Sequence, residues 1–292
     1  MNISRRTALG LIAGACSLSA CSGTPAVVIG SKNFTESILL AEIYAQALRR
    51  TGVHAITRLN LGSTQIAMAA IERGEIDLYP EYTGTALLTV LHLPASRDAD
   101  EIYRTVAAAF KSKYNLIWLA PAPMNDSQAI ATTQAISKRE NLQTLSQLSV
   151  LAPQLSLSTV PEFLTRPDGL PGLRARYGGF AFKEIRTYDI GLKYDALLAG
   201  KADVATAFTT DGTVLSQHLV LLDDNKHLWP PYRPAPVVRS ATLQRYPTIQ
   251  TTLDAIAPHI TTARTQKMNA QIEGAHADPK DVAAAFLAGI SH

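Results

Sequence analysis

Short apolar runs alternate along this chain with longer segments whose apolar positions recur every three or four residues. Val27-Val28-Ile29 is one such run and predicts a buried strand, with Gly30-Ser31-Lys32-Asn33-Phe34 as the loop at its end. Thr35 is the expected N-cap of a helix reaching about Arg50, with Ile38, Ala41, Ala45 and Leu48 on one face and Gly52 beyond its end. The alternation continues with a strand near 54–59, a helix over 63–73, a strand over 76–79, a helix over 98–114 and a strand over 117–119. Such alternation predicts a parallel or mixed sheet covered by helices.

Two breaks interrupt the rhythm. Residues 121–126 read Pro-Ala-Pro-Met-Asn-Asp, and a new unit starts near Ile130, with helices expected over 142–148, 161–165 and 192–199. The second break, Pro230-Pro231-Tyr232-Arg233-Pro234-Ala235-Pro236, is expected to be stiff and to lie at a sheet edge, because proline lacks an N–H. From Tyr246 onward the pattern is helical. The breaks predict an α/β protein of two lobes. Lobe 1 is discontinuous (27–126 and 231–292), lobe 2 is inserted (127–230), and two crossovers serve as the hinge.

Two distant stretches echo each other. One runs from Gly74 through Asp77 to Tyr82-Thr83, the other from Gly200 through Asp203 to Phe208-Thr209. Each has a Gly after a helical segment, Asp three residues on, an apolar run, and an aromatic followed by Thr. Two readings stand: ordinary αβ units of similar build, or two facing lobes that each present a ring from a strand end. The second would line a cleft suited to a small organic cation.

Composition bounds the rest. The chain has 292 residues, 47% hydrophobic and 17% charged, which describes a globular protein. Residues 1–20 are not expected to belong to the fold. Arg5-Arg6 precedes a small, apolar, uncharged run from Thr7 to Ala20, which fits an export signal and is too short to span a bilayer. It ends in Leu18-Ser19-Ala20-Cys21, which resembles a lipobox, so Cys21 is the expected lipidation site and 21–26 a lipidated tether. The expected location is the periplasm or cell envelope, anchored through Cys21. Setting aside Arg5 and Arg6 reduces 27 basic side chains to 25, against 24 acidic. A chain so near neutrality carries no electrostatic footprint for nucleic acid. The only other Cys is Cys16, inside the signal.

Enzyme motifs are weak. The seven His form no HxxxH or HExxH pair, and no nucleophile elbow, phosphate loop or dinucleotide fingerprint occurs. No metal site, cofactor or catalytic residue is therefore expected. Asp77, Asp203 and Asp211 are expected mostly to cap backbone. Lys32, in a loop between a strand and a helix N-terminus, suits an anionic group. Tyr82-Thr83-Gly84-Thr85 offers a ring, two hydroxyls and a Gly that would let a ligand approach the backbone.

Several stretches resemble the substrate-binding proteins of glycine betaine, choline and carnitine ABC importers: Gly30-Ser-Lys-Asn-Phe-Thr-Glu36, Tyr79-Pro-Glu-Tyr82-Thr-Gly-Thr85, Thr210-Asp211-Gly212, and Leu222-Asp-Asp224 followed by Pro230-Pro-Tyr232. The resemblance covers nearly all of 27–290. It implies a two-lobed periplasmic-binding-protein fold, type II-like, that closes on its ligand. It also implies an exported lipoprotein, not an enzyme, that binds a small quaternary-ammonium osmoprotectant and serves a permease with a cytoplasmic ATPase. By the resemblance, Lys32, Thr85 and Arg166 (in Glu162-Phe163-Leu-Thr-Arg166) hold a ligand carboxylate, while Tyr82 and Tyr232 are cage rings. Two further cage positions depart from the family's usual rings. Phe208 stands for a Tyr, and in Asn125-Asp126-Ser127-Gln128 the last residue, Gln128, stands for another, with Asp126 also in the ligand-binding set. Alternatives are a different polar or larger cationic solute in the same fold, or an enzyme on a two-lobed scaffold.

Overall fold

The computed structural model describes residues 25–290; the export-signal and Cys21 expectations lie outside them. Ten strands form two five-stranded mixed sheets. The first contains β1 (Val27–Gly30), β2 (Ala55–Arg58), β3 (Leu78–Tyr82), β4 (Leu116–Trp118) and β10 (Pro234–Arg239), in the order β2-β1-β3-β10-β4. The second contains β5 (Gln128–Thr132), β6 (Ser156–Thr159), β7 (Glu184–Thr187), β8 (Val204–Phe208) and β9 (Val220–Leu221), in the order β7-β6-β8-β5-β9. The two sheets share one plan. Three parallel strands are followed by one antiparallel strand, β10 or β5, that pairs onward with a short edge strand. The chain passes between the sheets twice, over 119–127 and 222–233.

The echo has a structural counterpart. Gly74 and Gly200 both lie at positive φ, +72° and +68°, just past a helix, where a side chain would be strained. Asp77 Oδ2 accepts the N–H of Val28 at 2.9 Å, and Asp203 Oδ2 accepts that of Ser156 at 2.9 Å. Each Asp thus satisfies an amide at the start of the neighbouring strand and fixes β3 or β8 in register. These two carboxylates are structural, as expected.

Other expectations shift. Helix α1 spans Thr35–Arg50, but its N-cap is Phe34, which offers no side-chain cap, and Thr35 is its first helical residue. It is buried almost all round, because the C-terminal helix Pro279–Ala288 packs against the side that the sheet leaves open. Helix α2 is Thr64–Glu72, and the strand expected over 76–79 lies at Leu78–Tyr82. The segment 161–165 is one 3₁₀ turn, Pro161–Leu164. The expectation that 230–236 lies at a sheet edge fails. β10 is flanked by β3 and β4, and where Pro234 and Pro236 leave no N–H, their carbonyls accept from Ala122 and Leu119 at 2.9 Å each.

A helix at Thr262–Glu273 ties the halves together. Its Asn269 Nδ2 donates to Glu36 Oε2 on α1 at 3.1 Å and to the carbonyl of Thr210, beyond β8, at 2.9 Å. A Cβ on Gly212 would come within 2.3 Å of Asn269 backbone, so only glycine allows this approach.

Candidate functional site

β3 and β8 both end in an aromatic residue, and the crossovers run beside those ends. A cavity of about 230 Å³ opens there, between the two sheets. All eight residues singled out from the sequence line it: Lys32, Tyr82, Thr85, Asp126, Gln128, Arg166, Phe208 and Tyr232. The crossovers meet at its rim, where Asp126 N–H donates to Tyr232 O at 3.1 Å and Tyr232 N–H to Asn125 Oδ1 at 2.7 Å.

Each ring is held from behind. Tyr82 O–H donates to Glu36 Oε1 at 2.7 Å, and Tyr232 O–H donates to Asp168 Oδ2. Burial pushes both phenols well above their usual pKa. Tyr232 packs against Gly84, where a Cβ would lie 2.6 Å from its ring. The freedom expected to admit a ligand at Gly84 admits the Tyr232 ring instead. Gln128 and Phe208 are directly opposite each other in the β5–β8 ladder. The two departures from the family's rings are therefore cross-strand neighbours.

The two cations expected to hold a carboxylate are already paired. Lys32 Nζ lies 2.6 Å from Glu81 Oε1 and 4.8 Å from the Tyr82 ring centre. Arg166 makes two bonds to Asp168, 2.8 and 2.6 Å. Asp168 also accepts Gln128 Nε2 at 2.5 Å. Burial alone would raise this carboxyl. The Arg166 hydrogen bonds and charge outweigh burial and, with the Tyr232 hydroxyl, hold it below the usual range.

Carboxyls gather on the other side. Asp126 is buried and accepts the Thr210 hydroxyl at 2.5 Å; burial first, then the charges of Glu36 and Asp211, push it well above the usual range. Burial pushes Glu36 up to about 7 against the hydrogen bonds from Thr210, Tyr82 and Asn269. Lys193 is the buried cation here. Its Nζ lies 3.1 Å from Asp211 and 4.9 Å from the Phe208 ring centre.

Sequence reasoning missed Phe34, Asp168 and Lys193. Phe34 lines the cavity with its ring centre 5.9 Å from that of Tyr82. Its place two residues after Lys32 was a usable signal, as was that of Asp168 two after Arg166. Nothing in the sequence marks Lys193, which only the fold brings beside Phe208. Among the described residues no group of three or more His, Cys, Asp or Glu is placed to hold a metal, and no helix is long and apolar enough to cross a membrane.

Comparison with known proteins places the chain in a family. Residues 25–289 match the family model described as the substrate binding domain of ABC-type glycine betaine transport system. A glycine-betaine-binding protein of Pseudomonas aeruginosa is 36% identical over 269 residues, covering 89% of this chain and 86% of that protein. The glycine betaine-binding protein YehZ of Escherichia coli is 33% identical over 273 residues, covering 89% of each. A solved structure described as a glycine betaine/carnitine/choline ABC transporter aligns with TM-score 0.75 at 28% identity, covering 90% of this chain and 98% of that one.

Proposed function

This chain belongs to the family of substrate-binding domains of ABC-type glycine betaine transport systems, and from that premise we propose that it captures a small quaternary-ammonium or betaine solute between its lobes. The observation that carries the reading is a cavity lined by Tyr82, Phe208, Tyr232 and Phe34, with a buried carboxyl, Asp126, among them. A quaternary nitrogen has no N–H, so hydrogen bonds cannot select it; ring faces can, at about 0.5–2 kcal/mol each. The cavity is smaller than the ~300 Å³ lower bound for drug-sized ligands, which fits a small solute.

The protein acts by binding and release, without catalysis, and passes its ligand to a membrane permease driven by a cytoplasmic ATPase, for osmotic protection. It is exported and held in the periplasm or cell envelope by a lipid on Cys21. Lobe 1 comprises 27–126 and 231–292 and lobe 2 comprises 127–230. The division of strands between the two sheets supports these bounds.

A second reading, a quaternary amine without a carboxylate, is favoured by the pairing of Lys32 with Glu81 and of Arg166 with Asp168. Titration calorimetry with glycine betaine and choline tests both. A ligand at 100 times its dissociation constant stabilises the fold by about 2.7 kcal/mol, so thermal melting gives an independent readout. Absence of binding and of stabilisation by every methylammonium solute tried would overturn the assignment.

A further inference from the structure

Five buried side-chain atoms lack a hydrogen-bond partner among the described residues: Glu42 Oε2, Thr89 Oγ1, Trp118 Nε1, Thr265 Oγ1 and Asn269 Oδ1. Of these five residues, only Thr89 lines the cavity. It follows Thr85 by four positions, in a π-helical turn, Ala86–Val90, where Leu91 N–H reaches back five residues to Ala86 O at 3.0 Å. In a regular helix a threonine hydroxyl returns to the carbonyl four residues earlier. Here that bond is not made. π-Helical turns concentrate at functional sites, where they re-aim a side chain. A cavity-lining hydroxyl with no partner inside the protein is free to bond solvent, and a ligand that displaces that solvent binds well there only if it supplies the bond itself.

The lining of the cavity as a whole narrows what that partner is. Besides its rings and charged groups, the cavity carries neutral polar side chains on both walls, Ser63, Gln65 and Thr85 in lobe 1 and Gln128 and Thr206 in lobe 2. A trimethylammonium head has neither donor nor acceptor for a hydroxyl, and it belongs with the rings. A carboxylate, where the ligand has one, has Lys32 and Arg166 as its cationic partners in the cavity wall. The group left for Thr89 is a neutral one.

We propose that Thr89 is a specificity-determining residue that reads a hydroxyl, or a comparable neutral hydrogen-bonding group, on the tail of a quaternary-ammonium ligand. This rests on the quaternary-ammonium reading of the same cavity. The test uses two matched pairs that differ by one hydroxyl: choline with ethyltrimethylammonium, and carnitine with γ-butyrobetaine. Calorimetry should show the hydroxylated member of at least one pair binding about tenfold tighter, the size of one neutral hydrogen bond. Thr89→Val, which keeps the shape and removes the hydroxyl, should abolish that preference and leave the deoxy member within about twofold. Thr89→Ser should retain it. Unchanged melting temperatures of the variants exclude a folding effect. Equal binding within both pairs by the parent protein overturns the inference, as does Thr89→Val weakening both members alike, which would mean a packing or carboxylate role. Binding of glycine betaine with no binding by either pair overturns it while sparing the quaternary-ammonium assignment. Binding of no methylammonium compound sinks both.

Discussion

The two lobes build the same electrostatic device from non-equivalent positions. In lobe 1, Glu81 accepts the Lys32 ammonium at 2.6 Å, the backbone N–H of Tyr82 at 2.7 Å and the Tyr79 hydroxyl at 3.0 Å. In lobe 2, Asp211 accepts the Lys193 ammonium at 3.1 Å, the backbone N–H of Phe208 at 3.0 Å and the Tyr194 hydroxyl at 2.5 Å. In both, the ammonium stands over the ring, at 4.8 and 4.9 Å. The carboxylate precedes the ring by one residue in lobe 1 and follows it by three in lobe 2. The lysine comes from the loop after β1 in one lobe and from the helix Lys193–Leu198 in the other. A ring at a strand end needs its backbone N–H satisfied and its neighbouring charges neutralised, and each lobe met that need with the residues nearest in space.

The lobes differ in burial, and that difference orders the predictions. The side chains of Lys32 and Glu81 are 5% and 0% exposed, whereas Asp211 is 19% exposed beside a buried Lys193. Breaking a fully buried pair leaves an uncompensated charge and costs about 3–5 kcal/mol. Glu81→Gln should therefore lower unfolding free energy in urea by roughly that amount, and Asp211→Asn by distinctly less, because water reaches Asp211. Equal losses would show that the two pairs are the same device in energy as well as geometry.

The next effect in size is pH dependence. The lobe 1 ring donates its hydroxyl to Glu36, whereas Phe208 has none to give. Burial pushes Glu36 up to about 7, from about 4.5 when unfolded. With a raised folded-state value, the protonated form is favoured in the fold. Stability is then highest below about pH 4.5 as far as this group is concerned, and it falls as pH rises through 7, by roughly 3 kcal/mol. Asp126, raised in the same direction, adds to the fall. Denaturation measured from pH 5 to 8 should show the decline in the parent and a flatter profile in Glu36→Gln. Tyr82→Phe makes lobe 1 resemble lobe 2 and removes a hydrogen bond that lowers the Glu36 value. The decline should then move to higher pH. A profile indifferent to both substitutions would mean that Glu36 does not titrate in this range.

The rings come third. Tyr82→Ala, Phe208→Ala and Tyr232→Ala should each weaken a methylammonium ligand by roughly two- to thirtyfold, the span of one cation–π contact, as read by calorimetry. Lys32→Ala should leave choline less affected than any of them. Three alanine variants with parental affinity would make the rings core packing and not a cage.

The frame of this site was legible in the sequence and its wiring was not. Gly74 and Gly200, Asp77 and Asp203, and the aromatic ends of β3 and β8 are fixed by local rules: a positive-φ helix end, a carboxylate for a strand amide, a strand of set length. Such rules leave a repeated spacing. The pairings Lys32–Glu81 and Lys193–Asp211 obey no common spacing, because each closes between elements that only the fold brings together, whereas Arg166–Asp168 is local and was open to a reading of the sequence. Helix α1 shows the same limit. Its apolar face suggested one buried side, and the second was created by a helix some 240 residues later in the chain.

The smallest expected effect concerns the position where this chain departs furthest from the family's rings. Gln128 faces Phe208 across the β5–β8 ladder and donates to Asp168, which in turn holds Arg166 and Tyr232. Gln128→Tyr adds a π face to the cavity, which favours a bound cation by about 0.5–2 kcal/mol. It also removes one donor from the Asp168 carboxylate, a loss of about 1.5–3 kcal/mol, of which the part that loosens the Tyr232 anchor opposes binding. The two terms oppose each other, so glycine betaine affinity should rise only a few-fold. Replacing both Gln128 and Phe208 by Tyr should gain no more than the single change, since Phe208 already presents its ring and tyrosine there adds a hydroxyl alone. A gain well above tenfold for Gln128→Tyr would mean that Asp168 needs no help from Gln128 to hold Tyr232. Loss of binding would place the Gln128 amide itself against the ligand and make it, rather than a missing ring, the feature that sets lobe 2 apart from lobe 1.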